Sequence, residues 1–375
     1  MKNNEDAIPQ DIFDLIQEID EKAGIVSTPE ETSVNEPSEP VTGQDELTDE
    51  HYVIMSPKGI HINKPEIFEK LEEISLSASL ITSMEQCPAQ WVFEKYVKRE
   101  IIEEPEDTPA KRGNVFHTIM EDFFEIEPPE DRTMIKLYEI TARVIKEGYP
   151  EFADNQEVIQ WTLDAIQGYY EMGGNPKKVN IATVKKHKTD EPVKGLEVFI
   201  KGQIGKASRQ TLGYVDQIIQ DHIDEEGIVV SDWKSGSTVR RFQKPQNLDK
   251  PRKYNPGFPE VRQQMIYAML LEARGEKVTS ARLVYPLGRE IVNVDVDDLW
   301  IRKKVVESVE QADETLSTSI EQNLFEYGPS ALCSWCPLVN MCPAAQKIPS
   351  EKAVESREKQ PTVEELKKGV YLKGA

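Results

Sequence analysis

Gly227-Ile228-Val229-Val230-Ser231-Asp232-Trp233-Lys234-Ser235-Gly236 decides how this chain is read. A β-branched apolar run leads into an acid and a base two residues apart, and Ser235-Gly236 then turns the chain away. Residues of that kind fit a pleated, buried surface, so 227–234 is predicted as a strand. Side chains alternate along a strand, which puts Asp232 and Lys234 on one face and Trp233 on the other. A carboxylate and an ammonium together at a strand's end can hold a divalent cation and orient a water. Asp and Lys two apart on a strand are also a common solvated pair, so the neighbouring segments have to decide.

Outward from this strand the pattern is regular. Residues 193–204 and 209–220 read as strands before it, and 280–287 and 290–296 as strands after it, the last with Val292, Val294 and Val296 on one face. A helix is expected over 260–273, and a longer one over 297–324 through Val305, Val309, Ala312, Leu316 and Ile320. Upstream lie four predicted helices. The first is capped by Ser77 or Ser79 and runs to Val97, and the others cover 111–124, 131–147 and 155–171. Helices, then strands, a helix, strands and a helix make an α/β or α+β domain.

Of 375 residues, 38% are apolar and 30% charged, which places part of the chain outside a compact core. The net charge of −22 is concentrated: residues 1–50 hold fifteen acids and two bases. Within them, 11–23 has helical spacing through Ile12, Leu15, Ile16 and Ile19, and 27–50 is rich in Ser, Thr, Pro and Glu. The expectation is an acidic, largely disordered tail over 1–50 with a possible short helix, a lead-in over 51–74, a folded domain over 75–346 and a polar C-terminal tail over 347–375. No secretory leader or membrane-length apolar run is present in the sequence, so a soluble, cytoplasmic protein without membrane contact is expected.

His117 and Glu121 lie four apart on the second helix with Gly113 one turn earlier, Asp216 follows Gly213 on the strand before Asp232, and Gln263 and Tyr267 lie four apart on the next helix. The order Gly113-x3-His117-x3-Glu121, Gly213-x2-Asp216, Asp232-x-Lys234-Ser235-Gly236, Gln263-x3-Tyr267 resembles the PD-(D/E)XK nuclease superfamily, and more closely its RecB-like branch, over roughly 75–346. The resemblance implies a restriction-endonuclease-like core, a mixed central sheet flanked by helices, with an N-terminal helical part on which a C-terminal cysteine cluster closes. It implies Mg2+ or Mn2+ held by His117, Asp216, Asp232 and the Trp233 carbonyl, with Lys234 positioning the attacking water. Glu121 would be a further acidic group, and Gln263 and Tyr267 would orient the lysine or contact DNA. Hard oxygen ligands select those cations for phosphodiester hydrolysis.

All four cysteines fall into one pattern: Cys87 early, and Cys333, Cys336 and Cys342 late. Four thiolates suit zinc or an iron–sulfur cluster, and spacing alone does not choose. The one-plus-three split resembles the iron-staple nucleases, the AddB-type subunits and CRISPR-associated exonucleases, in which a structural 4Fe–4S cluster ties the domain's ends together.

An acidic protein that holds DNA needs a local basic face. One candidate is Lys177–Lys188. The other is Arg240–Arg262, where Arg240 and Arg241 follow the D-x-K turn and Phe242, Tyr254 and Phe258 interleave with bases, a composition suited to a single strand. The expected function is therefore a metal-dependent DNA exonuclease in recombination, repair or end processing, viral or CRISPR-linked. It would act on single strands or duplex ends, with a recombinase, helicase or other DNA-processing protein as partner. The alternative is a non-catalytic DNA-binding or assembly subunit stapled by its cysteines.

Overall fold

The computed structural model describes residues 46–103, 107–172, 176–189, 191–236, 258–330, 333, 335–345 and 357–373. Two short strands, β1 (Val53–Met55) and β2 (Gly59–Ile62), lead into helices α1 (Pro65–Glu72), α2 (Ala78–Gln86) and α3 (Pro88–Tyr96). Three longer helices follow: α4 (Pro109–Glu125), α5 (Met134–Arg143) and α6 (Gln156–Glu171). Then come β3 (Thr183–Lys185), β4 (Pro192–Lys194), β5 (Leu196–Gly202), β6 (Thr211–Gln220) and β7 (Ile228–Trp233). Helix α7 (Phe258–Glu272), strands β8 (Val278–Tyr285) and β9 (Glu290–Val294), and helix α8 (Leu299–Glu321) complete the middle of the chain. Strand β10 (Phe325–Glu326), helix α9 (Val363–Lys367) and strand β11 (Val370–Leu372) end it.

Among the described residues the central sheet runs β5-β6-β7-β8-β9, and only its β7–β8 pairing is parallel. The fold is thus α/β with a mixed sheet flanked by helices. Strand β7 lies in the middle, and all six of its residues are buried, which is why Ile228-Val229-Val230 reads as a continuous apolar run rather than an alternation. One apolar cluster joins the sheet to α2, α3, α7 and α8, through residues such as Ile81, Val230, Met265 and Val305. A second gathers α4, α5 and α6 around Phe116, Phe123, Phe124 and Ile166, and takes in Trp233. Trp233 and Val230, three apart on one strand, therefore belong to opposite sides of the sheet, as strand alternation requires.

Four expectations need correction. The helix expected from Ser77 to Val97 is two helices: Pro88 cannot continue α2, and Cys87 takes an extended conformation with φ −159°. The lead-in at 51–74 and the tail after 347 are not peripheral. Strands β1 and β2 join β10 and β11 in a second sheet, ordered β10-β2-β1-β11, in which β1 pairs parallel with β11. Val53, Met55, Leu366 and Val370 enter the main core. Strands of two to four residues carry too little alternation to be seen in sequence. Finally, Arg262, counted with the basic loop, is fully buried. Its guanidinium holds Glu85 and Ser308 through Nη1 and Thr82 Oγ1 at 2.6 Å through Nη2, tying α2, α7 and α8 together. The possible helix at 11–23 and the basic residues from Arg240 to Lys253 lie outside the described residues.

Arg262→Met should therefore destabilise the protein by about 2 kcal/mol or more, because Glu85 loses its cation while staying partly buried. Urea unfolding would check this, with the midpoint lowered and the slope retained.

Candidate active site

Strand β7 and its neighbours build the floor of a cleft lined by Gly113, His117, Glu121, Glu197, Tyr214, Asp216, Asp232, Trp233, Lys234, Ser235 and Gln263. Helix α4 supplies the wall. Thr108 caps it, accepting from Lys111 N at 3.2 Å, and Pro109 opens its first turn. Its apolar face, with Phe116, Phe123 and Phe124, packs towards Trp233, whose indole stacks on Phe124 with centroids 6.1 Å apart. That packing carries His117 to the end of β7. A Cβ on Gly113 would meet Ser235 Oγ at 3.3 Å, so a glycine one turn before His117 lets the helix lie close over the turn after Lys234.

His117 Nε2 lies 3.0 Å from the Trp233 carbonyl oxygen. A carbonyl only accepts, so this nitrogen carries the proton. Nδ1 then faces Asp216 Oδ2 at 3.6 Å and Glu197 Oε1 at 3.9 Å. Donor atoms of His117, Glu197 and Asp216 all lie within 4.8 Å of one another. Asp216 is nearly fully buried, and its Oδ2 accepts from the Trp233 backbone N–H at 2.7 Å.

Lys234 and Asp232 sit side by side. Lys234 Nζ lies 2.7 Å from Asp232 Oδ2 and donates to Gln263 Oε1 at 2.9 Å. An ammonium only donates, so the Gln263 amide is fixed with its oxygen towards Lys234. Its Nε2 donates to Asp232 Oδ1 at 3.0 Å and to Tyr267 OH at 2.9 Å. Tyr267 in turn presses on strand β6: a Cβ on Gly213 would fall 2.3 Å from its ring. The Gly213-x2-Asp216 and Gln263-x3-Tyr267 spacings therefore meet in a single contact.

The electrostatics of the cleft call for a cation. Burial first, and then the charge of Asp232, push the Asp216 carboxyl up. Burial and the charges of Glu197, Asp122 and Glu125 raise Glu121. Burial works against charge on His117, but its bond to Glu197 and the charges of Asp216 and Asp232 outweigh burial and lift it to about 9. Burial likewise opposes the Lys234 ammonium, and Asp232 outweighs it, so its pKa stands above the ordinary lysine value. Two positive groups thus face several carboxylates in a buried setting. The donor set, carboxylates with one imidazole, is that of Mg2+ or Mn2+, and the residues present fit such an ion.

The structure brings together His117, Asp216, Asp232, Lys234, Gln263 and Tyr267, with Glu121 on the wall of the same cleft. Arg240 and Arg241 lie outside the described residues. Sequence reading missed Glu197. It belongs to no motif, and only the pairing of β5 with β6, with Leu196 opposite Gln217 and Val198 opposite Val215, brings it beside Asp216. Its φ of +46° is unusual for a side chain with a Cβ and costs of order 1 kcal/mol.

The four cysteines line one small cavity with Gln86, Gln90, Tyr327 and Gly328. The segment after β10 approaches Cys87 closely because position 328 is glycine, where a Cβ would clash with Gln86 O. Backbone N–H groups point at the sulfurs: Gly328, Gln90 and Ala89 at Cys87, Leu338 at Cys336, Ala344 and Ala345 at Cys342, and Ser330 at Cys333, the last at 3.3 Å. Burial pushes the thiols of Cys87, Cys336 and Cys342 up, so they ionise only against a compensating cation. Four soft donors surrounded by N–H groups fit a thiolate-held metal or cluster.

A family model for the PD-(D/E)XK nuclease superfamily matches residues 75–343. No curated protein matches the sequence significantly. Among solved structures, a Eubacterium rectale protein described as a "putative exonuclease" aligns at 12% identity and a TM-score of 0.41, covering 83% of this chain and 98% of that one. The protein SSO0001 aligns at 12% identity and a TM-score of 0.31, covering 75% of this chain and 93% of its own.

Replacing Glu197 with Gln removes one member of the trio while keeping its shape. Mn2+ affinity, measured by isothermal titration calorimetry, should fall at least about tenfold. The metal-free melting temperature should hold or rise, because one crowded carboxylate is gone. Undiminished Mn2+ affinity would remove Glu197 from the site.

Proposed function

Because this chain belongs to the PD-(D/E)XK nuclease superfamily, we propose that it is a Mg2+- or Mn2+-dependent deoxyribonuclease of the RecB-like branch, acting as an exonuclease on DNA ends. The observation that carries this reading is the trio His117, Glu197 and Asp216, gathered within 4.8 Å beside the Asp232–Lys234–Gln263 network. His117, Glu197, Asp216 and Asp232 would hold the ion. When bound, it offsets charge on the phosphate and makes a water nucleophilic at neutral pH.

The protein's own groups do the rest. The Trp233 carbonyl and its N–H lock the His117 ring and the Asp216 carboxylate respectively, so both donors are set before substrate arrives. Lys234 stays charged at the cleft floor, held between Asp232 and Gln263. From there its ammonium can donate to a phosphate oxygen and to the attacking water. Gln263 spends one N–H on Asp232 and one on Tyr267, which keeps the lysine and the aspartate in register. Glu121, less acidic than an ordinary glutamate, stands on the α4 wall as an acceptor for a second ion or for a proton.

We further infer that Cys87, Cys333, Cys336 and Cys342 hold a 4Fe–4S cluster with a structural role. In support, the cavity they share joins residues about 250 positions apart in the chain, and closing so long a loop stabilises the folded state appreciably. DNA end processing in recombination or repair, with a motor or recombinase as a separate chain, is the setting this enzyme would serve.

Degradation of end-labelled single-stranded and duplex DNA in Mg2+ or Mn2+ tests the enzymatic reading. Lys234→Ala and Asp232→Ala should each lower the rate by about 100-fold or more. Equal rates for both variants and the intact protein would refute it. For the cluster, protein purified anaerobically should be brown with broad visible absorption and about four irons per chain. Cys87→Ser should lose the colour and melt at a lower temperature. A colourless protein carrying one zinc would exclude the iron cluster.

A further inference from the structure

The face of the sheet that carries Glu197 and Asp216 does not end with them. Strands β5 and β6 pair Phe199 with Tyr214 and Lys201 with Leu212. Alternate residues share a face, and two residues of strand span roughly 7 Å. Moving away from the carboxylates, that face therefore presents first Phe199 with Tyr214 and then Lys201, at a stride close to that of one extended nucleotide.

The rings form a row. Tyr214 is 56% exposed and belongs to the wall of the cleft. Its ring lies 5.2 Å from Phe199, and Phe199 lies 5.4 Å edge-on from His187. Cations border the far end. Arg274 Nη2 lies 3.2 Å from His187 Nδ1, and the same guanidinium reaches the Phe199 carbonyl. Burial and the charges of Arg274, Lys188 and Lys201 hold the His187 pKa below its usual value, so the imidazole is neutral. Glu276 stands near Arg274, and its carboxylate accepts from the Lys185 backbone N–H. In a chain of net charge −22, a run of aromatic rings beside three cations is the opposite of the average surface.

We propose that the Tyr214–Phe199–His187 row, with Lys201, Lys188 and Arg274 beside it, is a track on which unpaired DNA bases stack as a single strand runs to or from the cleft. The track rests on the nuclease reading of the cleft. Stacking on aromatic rings is open to every base but only when the base is unpaired, and the adjoining cations meet the backbone phosphates. The inference gives the enzyme a substrate form: single strands, or duplex ends frayed by at least the nucleotides that reach the rings.

The test uses full-length, cluster-loaded protein with Ca2+ in place of Mg2+ to hold back cleavage. Fluorescence anisotropy follows binding of labelled oligo(dT) and of a blunt duplex. Tyr214→Ala and Phe199→Ala should each weaken oligo(dT) binding at least about fivefold, Tyr214→Trp should retain it, and duplex binding should change little. Melting temperatures matching the parent protein would show that the alanine variants are folded. Unchanged oligo(dT) affinity in both alanine variants overturns the track, and so does an equal loss on the blunt duplex. Failure of the nuclease reading is visible separately, as parent protein that leaves both DNAs intact in Mg2+ and in Mn2+.

Discussion

The cleft depends on crowding carboxylates into a place where water screens them poorly. Asp216 and Asp232 are almost wholly buried on adjacent strands, and Glu197 faces Asp216 from the next strand. Buried like charges are costly unless a cation compensates them. Without metal, the protein supplies what it can: a lysine between Asp232 and Gln263, a backbone N–H on Asp216, and a histidine whose affinity for its proton is raised. These substitutes are incomplete. That misfit is what a divalent ion in the cleft would relieve, and the position of the carboxylates is set by strand register.

The rest of the fold serves that register. Strand β7 is held on both edges, antiparallel to β6 and parallel to β8, and it is buried on both faces. A shift by one residue would exchange Asp232 with Trp233 and send a carboxylate into the cluster of Phe123 and Phe124. Tyr267 against Gly213 of β6 and Phe124 against Trp233 of β7 brace the sheet from opposite sides. The left-handed backbone at Glu197 sits within this rigid frame, where strain of that size can be carried by the surrounding packing.

How much of this the sequence displays follows from the range of each interaction. The strands flanking Asp232 and the helices bearing His117 and Gln263 announce themselves through local periodicity, and Asp232, Lys234, Gln263 and Tyr267 stand at short, regular spacings. Glu197 has no such spacing. Its meaning arises only when β5 pairs with β6, a non-local event. Arg262 looks like one more base in a basic loop, yet its surroundings on α2 and α8 bury it. Cys87-Pro88 reads as the middle of a helix by apolar spacing, while proline chemistry ends the helix there and frees the cysteine to face the others. The sheet of chain ends was invisible for the opposite reason, since its strands are too short to show a period at all.

That second sheet changes how the cysteines should be understood. Strand β1, ahead of the matched family region, pairs with β11, beyond it, and β2 pairs with β10 just before Cys333. Cys87, between α2 and α3, and the late cysteines, in the irregular segment after β10, line one cavity, with Gly328 pressed against Gln86 and Cys87. A group held by the four thiols would make a second closure of the same distant parts of the chain, beside the backbone pairing. The entropy of bringing these segments together is shared between them, because once either closure has formed the other shuts a much shorter loop. A thiol-held cluster would then add stability to an arrangement already favoured by β1 and β11. The strand pairing in turn holds Cys87 near the late cysteines. The early cysteine and the late three thus lie on a seam that hydrogen bonds already draw, in a cavity that shares no residue with the carboxylate cleft, so a group held by the thiols and an ion held in the cleft would serve separate tasks in this fold.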